Sequence, residues 1–426
     1  MAPFPTVDSS LPLAIEGYGW LPNRRRRADG DMVRTRLLGQ PAVGICGPEA
    51  ARFFYDENHI RRHGAIPEPV QGTLFGKRAV HTMDGSAHRR RKELFGLLMD
   101  PAGITRLVDL TTAAWDVAVS SWAGRDEVVL FDDVPRVLTR GVCQWTGVPL
   151  EEGEVGPLAA DLMALVDGFA TAGPRHWRAR RARGRLQDRL GALVEAVRDG
   201  QTEAPADSAL AAVAAHRDLD GSPLDRELAA VELLNVLRPT VAVTWFVTFA
   251  GHALHRWPEH RARLRSGDSR FVEAFTHEVR RFYPFAPFVG GTAVRDLTFH
   301  GAPIPEGAMV LLDLYGQNHD PDLWPDPYAF HPDRFVDRAV GEFDLVPQGG
   351  GDPRTGHRCP GEKITVALLS ALVVRLARLD YTVPEQDLSI PLHRIPTLPR
   401  SGVRITDVRP ADRPGPAGHS VIGSPI

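Results

Sequence analysis

Residues 349–362 read Gly-Gly-Gly-Asp-Pro-Arg-Thr-Gly-His-Arg-Cys-Pro-Gly-Glu, with one cysteine, Cys359, between a glycine run and a Pro-Gly pair. Glycines let a backbone turn through positive φ and pass close to a flat ligand. A mostly apolar run, Ile364 to Leu376, follows at helical spacing. A helix starting near Glu362 aims its positive end back at the sulfur, which favours thiolate over thiol. A lone thiolate cannot close a zinc site, which takes about four ligands. It can be the axial ligand of a haem iron. A buried, inert cysteine is the plain alternative, and the neighbours of Cys359 weigh against it.

Other groups with chemistry stand upstream. From Asp225 the chain carries Leu228, Val231, Leu234, Leu237, Val241 and Phe249, mostly at repeats of three and four, with Arg238-Pro239 among them. Proline inside a helix removes a backbone bond and kinks the rod. An arginine in so apolar a run is costly unless paired. Its fork binds both oxygens of a carboxylate, either a substrate's or one of the protein's own. His88, Arg91 and Lys92 fall at i, i+3 and i+4, on one helical face. Such a face can hold carboxylates such as haem propionates, or it can simply be solvated. His81 lies just before it in an apolar setting, where a satisfied structural histidine is the plainer reading. Glu278 and Arg281, at i and i+3, can pair along a helix. The arginine-rich stretch Gly173 to Arg183 could steer anionic substrates to a channel mouth, or lie as an exposed basic helix.

Helices must position most of these groups. Amphipathic spacing from Ala159 to Phe169 and from Leu186 to Val197 makes residues 101–215 mostly helical, and 225–256 is the longest helical candidate. Pro205 to Gly221 reads as a polar link. Val33 to Leu37 alternates as a strand does, and a helix starts near Pro48. Short strands are expected across 293–313 and from Leu379 to Thr406, with a loop-rich stretch from Tyr315 to Phe335. Arg409 to Ile426 is rich in Pro, Gly and Ser and reads as a disordered tail.

The 426 residues are 43% hydrophobic with a formal net charge of −3, which gives no support for nucleic acid as the main partner. Three cysteines far apart in sequence suggest no disulfide framework and a reducing cytoplasm. No run reaches the ~18 apolar residues of a membrane span. Met1 to Ser10 shows no signal peptide.

Taken in order, Glu278-x-x-Arg281, then Pro332-Asp333-Arg334-Phe335, then the Gly-rich Cys359-Pro360-Gly361 loop entering a helix resemble the cytochrome P-450 superfamily. The resemblance runs from about Leu11 to Val408. It implies a mainly α fold with a smaller β region, the triangular haem-thiolate prism, as one catalytic domain over 1–408. It implies haem b with Cys359 as the iron's ligand and with His88, Arg91, Lys92, His357 and Gly361 around the cofactor. It also implies that Glu278 and Arg281 pair with Arg334 to lock the haem-side loop. Two departures stand out. Arg238-Pro239 occupies the place of the usual acid–threonine pair in the long distal helix. The approach to the cysteine, from Pro347-Gln348 onward, is longer than usual.

Both departures resemble the bacterial fatty-acid peroxygenases, as do Leu74-Phe75-Gly76, Met83-Asp84-Gly85, Gly173 to Trp177, Arg280 to Phe285 and Leu312 to Gly316. That likeness implies hydrogen peroxide and free fatty acids as substrates and no obligatory redox partner. Peroxide already holds the two electrons that a reductase would supply; it lacks an acid–base group to move its proton. A fatty-acid carboxylate held by Arg238, with Pro239 kinking the helix over the haem, would serve. Hydroxylation would then fall at the α or β carbon, with oxidative decarboxylation to terminal alkenes as the other outcome. In this subgroup histidine at the place of His81 goes with alkene formation and glutamine with hydroxylation. Phe75, Phe285, Phe288 and Phe169 are expected either to line the acyl path or to pack as core. Two other readings stand beside this one. The first is a haem-thiolate monooxygenase that uses redox partners on a carboxylated secondary metabolite. The second is a haem sensor or carrier without turnover.

Overall fold

Apolar residues spaced by three and four wind most of the chain into helices, and the most apolar of these lies at the centre. The computed structural model describes residues 4–28, 32–96, 99–169 and 171–410. Helices Arg226–Val241 and Val243–Arg256 follow one another with a break at Ala242. Asp225 caps the first by accepting from the Leu228 N–H at 2.9 Å. The spacing predicts a kink at Pro239, yet the helix continues through it and breaks three residues later. The Ala242 N–H still reaches Arg238 O at 3.0 Å, while Trp245 turns back to Ala242 O at 3.1 Å. The proline therefore removes one bond, and the turn after it tightens.

By length and composition Arg226–Arg256, the longest helical candidate of the sequence, could cross a membrane, although no apolar run in the sequence reached that length. Its most apolar window is 94% buried inside the protein. The two helices pack against Pro174–Arg198, Leu130–Thr146 and Glu362–Ala377, the helix that follows the cysteine. One large apolar cluster joins them, with Trp115, Trp122, Trp245, Phe249 and Leu372 fully buried.

A five-stranded sheet has the order Met32–Leu37, Gln40–Ile45, Met309–Asp313, Phe288–Ala293, Ile60–Arg61. Its pairs are antiparallel except for the parallel pair between Gln40–Ile45 and Met309–Asp313. Alternation buries Val33, Thr35 and Leu37 on one face, as expected.

Two boundaries differ from expectation. Within the polar link, Ala209–Ala215 forms a helix whose Leu210 and Val213 are buried, capped by Ser208 Oγ accepting from the Ala211 N–H at 3.2 Å. Polar flanks hide so short an apolar segment. Strand Arg404–Pro410 pairs Arg409 with Asp380 and Pro410 with Leu379, so the expected tail loses its first two residues to a sheet. Residues 411–426 lie outside the described residues.

Candidate active site

The cysteine loop is built from backbone strain and one side-chain network. Gly349 and Gly351 stand at φ 92° and 81°. A Cβ on Gly349 would lie 2.3 Å from Tyr55 Oη, so this turn requires glycine. The Cys359 N–H donates to Gln348 O at 3.1 Å. Arg280 Nε and Nη2 donate to Gln348 Oε1 at 3.2 and 3.0 Å. Arginine offers only donors, so it orients the amide with its nitrogen toward the sulfur. Nε2 then stands 3.9 Å from Cys359 Sγ and donates to Thr365 Oγ1 at 2.9 Å. Arg280 also pairs with Glu362, which accepts from Arg358 Nε at 2.6 Å.

Burial pushes the Cys359 thiol above its ordinary pKa, against the Gly361 N–H, the Lys92 charge and the Gln348 amide, which pull it down. The helix start alone therefore does not make the thiolate expected from sequence. A cation on the sulfur would, because a coordinating thiol is deprotonated outright. A Cβ on Gly361 would meet Cys359 Sγ at 3.9 Å, an ordinary contact, so the sulfur itself does not demand glycine there.

Beside this loop, His88 stacks on His357 with ring centroids 4.0 Å apart. Among the described residues, His88 Nδ1 and His357 Nε2 are buried without hydrogen-bond partners. The latter lies 3.4 Å from Asp84 Oδ1, close enough for attraction but not aligned for a bond. Burial draws the pKa of His88 down to about 3 and lowers that of His357. Lys92 Nζ donates to the carbonyls of Gly356 and Arg358, and burial pulls its pKa down to about 8. Arg62, which the sequence did not flag, is buried with its guanidinium carbon 4.0 Å from the Phe54 ring centroid. Among the described residues it has no carboxylate at ion-pair distance. Orphaned donors and uncompensated cations beside a half-buried sulfur are what a haem and its propionates would satisfy, so these residues fit that cofactor.

Arg91 departs from expectation. Its Nε donates to Asp218 Oδ1 at 2.9 Å and its Nη1 to Glu232 Oε1 at 2.8 Å. It is spent tying its helix to the long helix and is not free for a propionate.

Across the long helix lies the second half of the site. Arg238 is 5% exposed; its Nη1 donates to Leu74 O and, at 2.9 Å, to Asn235 Oδ1. Its guanidinium carbon is 5.6 Å from the Phe75 ring centroid, and that ring is 4.5 Å from His81. The structure thus brings Arg238, Phe75 and His81 together. No protein carboxylate pairs with Arg238 among the described residues. Glu232, two turns earlier, is taken by Arg91 and by the Val80 N–H at 2.9 Å. Burial, and then the charge of Arg183, bring the pKa of Arg238 down to about 9, which leaves it charged at neutral pH. Burial and then Arg238 hold His81 well below its ordinary pKa, and its Nδ1 has no partner among the described residues.

The four phenylalanines separate. Phe75 lies at Arg238. Phe285 packs on Trp245 and Phe246, at 6.0 and 5.2 Å, just past Arg238 on the long helix. Phe288 instead packs on Trp20 at 6.0 Å, in the small cluster under the first strands. Its strand pairing with Met309–Asp313 fixes that direction. Phe169 is half-buried beyond helix Val155–Asp167 and makes no ring contact among the described residues.

Glu278, Arg281 and Arg334 assemble as expected. Arg281 grips Glu278 through two bonds of 2.8 Å, and Arg334 Nε lies 3.2 Å from Glu278 Oε2. Arg281 also donates to the carbonyls of Asn318 and Pro327, at 2.9 and 2.8 Å. Two surface clefts of about 480 Å³, one near His277 and Arg338 and one outside the cysteine loop near Arg52 and Thr355, do not include Arg238.

Sequence reasoning missed Gln348, Arg62, Glu232 and Asn235. Asn235 carried a signal, since it lies three residues before Arg238 on the same helical face.

A family model, Cytochrome P450, matches residues 267–398. The solved structure of cytochrome P450SP alpha (CYP152B1) in complex with (R)-ibuprophen is 40% identical, with a TM-score of 0.92, covering 95% of this chain and 99% of that one. Cytochrome P450EX alpha (CYP152N1) with myristic acid is 38% identical, with a TM-score of 0.91 and coverage of 95% and 98%. Ligand-free cytochrome P450 OleT is 36% identical, with a TM-score of 0.94 and coverage of 96% and 99%. With the cysteine loop, the Glu278–Arg281–Arg334 triad and the long helix in place, these likenesses put the chain in the cytochrome P450 family, within its CYP152 group.

Proposed function

We propose that this chain is a hydrogen-peroxide-dependent fatty-acid peroxygenase. It would hydroxylate free fatty acids at the α or β carbon and decarboxylate part of them to terminal alkenes. The first outcome converts acid and peroxide to hydroxy acid and water; the second gives alkene, carbon dioxide and two waters. One observation carries the reading: Arg238, a charged guanidinium in the apolar interior, has no acidic partner among the described residues. An uncompensated buried cation is expensive to keep, and a substrate carboxylate would offset that cost.

Haem b would be held by Cys359 at its iron and by His88, Lys92, His357 and Arg62 at its propionates. Bound there, it supplies the thiolate-ligated iron that favours O–O cleavage. The protein's own part is positional. Arg238 fixes the head group, so that only the α and β carbons come near the reacting centre. The bound carboxylate then serves as the acid–base group that peroxide lacks. Asn235 holds the guanidinium by its side-chain oxygen, and Leu74 O holds it from the facing segment. Phe75 covers Arg238 and Phe285 follows along the helix, which gives the acyl chain an apolar wall. Kept neutral by burial, His81 can exchange a proton through its unpartnered Nδ1, and we assign to it the bias toward alkene. The relative solved with myristic acid supports a fatty-acid substrate.

The test is haem-loaded protein with peroxide, a panel of acids and no reductase, with products identified by mass. Hydroxy acids and alkenes are expected, and turnover that needs a reductase and NAD(P)H would sink the reading. A second reading, reductase-driven oxygenation of another carboxylated compound, draws on the relative that holds (R)-ibuprophen, an acid without a long chain. The same assay separates the two.

A further inference from the structure

A second cation is buried beside Arg238. Arg183 closes the basic stretch 173–183, yet helix Pro174–Arg198 turns it inward with Ala179, Ala182 and Leu186, while Arg178 and Arg181 face solvent. Arg183 is 4% exposed. Its Nε donates to Thr73 O at 3.1 Å and its Nη2 to Leu74 O at 2.6 Å; Nη1 is buried with no partner among the described residues. Leu74 O also accepts from Arg238 Nη1. Two guanidinium groups thus converge on one carbonyl oxygen, and among the described residues neither has an acidic partner. Gly76, at φ 90°, makes the room: a Cβ there would stand 3.0 Å from Arg183 Nη1 and 2.6 Å from Val231 Cγ1. Like charges held this close in an apolar interior repel, and an anion brought between the elements that carry them relieves both.

We propose that Arg183 is a second cation of the carboxylate site, a positioning residue that selects acids over neutral chains by adding its field to that of Arg238. This rests on Arg238 being the head-group anchor. If Arg183 merely capped the carbonyls of Thr73 and Leu74, its loss would loosen the segment for every ligand alike.

The test uses haem-loaded protein titrated with myristic acid, with the matching primary alcohol, and with imidazole as a probe of the intact haem pocket. The haem absorption spectrum reports binding. Arg183→Gln should weaken the acid about tenfold or more, with alcohol and imidazole within about twofold. An unchanged acid affinity, or equal weakening of acid and alcohol, overturns the proposal. Arg183→Lys keeps the question answerable should the glutamine variant not load haem. A buried lysine loses its charge as pH rises, so acid affinity should fall from about pH 7 to about pH 9 in this variant and much less in the parent. Parallel pH curves would overturn the idea equally. Arg238→Ala run alongside separates the two readings. Acid affinity that survives there removes the anchor itself, whereas a loss there but not in Arg183→Gln removes only the second cation.

Discussion

Buried arginines lie on both sides of the predicted haem position, and the two sides treat them in opposite ways. On the cysteine side the arginines that brace the loop each have an acid, Arg281 and Arg334 sharing Glu278 and Arg280 and Arg358 sharing Glu362, while Arg62 is left for a propionate. On the far side Arg238 and Arg183 have none among the described residues, and only carbonyl and amide oxygens receive them. Burial itself does not distinguish the two sets, since Arg280, Arg281, Arg183 and Arg238 are all at most 5% exposed. The first arrangement is complete as it stands and holds a loop still. The second is complete only when something negative arrives. A buried ion pair thus marks scaffold here, and a buried cation without its acid marks the place where a ligand's acid group belongs.

Removing one charged group from each side should therefore have opposite consequences. Glu278→Ala leaves Arg281 charged and unpaired in the interior, so we expect a loss of ~3–5 kcal/mol in unfolding free energy and poor haem loading, read by denaturant titration. Arg238→Ala removes a charge that nothing neutralises, so the substrate-free protein should unfold at the same denaturant concentration or higher. Its peroxide-driven turnover of fatty acids should fall by about a hundredfold or more. Adding acetate should restore turnover of substrates without an acid group. Wild-type turnover in this variant would end the case for a substrate-borne acid–base group.

Acid should weaken both sides through their histidines. Burial lowers the pKa of His88 to about 3 and those of His252, His277 and His319 to about 4. A histidine depressed in the folded state binds its proton more readily when unfolded. Its contribution to stability is therefore present above the ordinary value of about 6.5 and lost as pH falls toward the folded value. Denaturant midpoints measured from about pH 7 down to about pH 4 should fall steadily; a flat profile would show that these rings are not held neutral. The smallest effect concerns products. His81→Gln should lower the ratio of alkene to hydroxy acid with total turnover within a few fold, and an unchanged ratio would take His81 out of the mechanism.

Much of the cysteine side was legible before any coordinates, because its features are local. A glycine at positive φ, a cysteine before a helix, and Glu278 three residues before Arg281 depend on the chain within a few positions of themselves. The order of these motifs led to the fold. On the far side the residue types were legible and their partners were not. Arg91 and Lys92 are adjacent in sequence, yet one is spent on Asp218 and Glu232 while the other reaches the cysteine loop. Phe285 and Phe288 are three apart, and strand pairing sends the second to Trp20.

The amino-acid sequence alone determined that one cysteine sits in a glycine-rich turn ahead of a helix, and that an Arg-Pro pair lies within the most apolar helix. Backbone sterics and helical periodicity act over short distances, and they suffice for that. Only the tertiary structure decided that Arg238 keeps its charge unanswered, that Arg183 turns inward to join it, and that Gln348 rather than the helix end alone faces the sulfur. Whether a buried charge finds an opposite charge depends on which distant segments pack beside it, and that follows from how the whole chain closes its core.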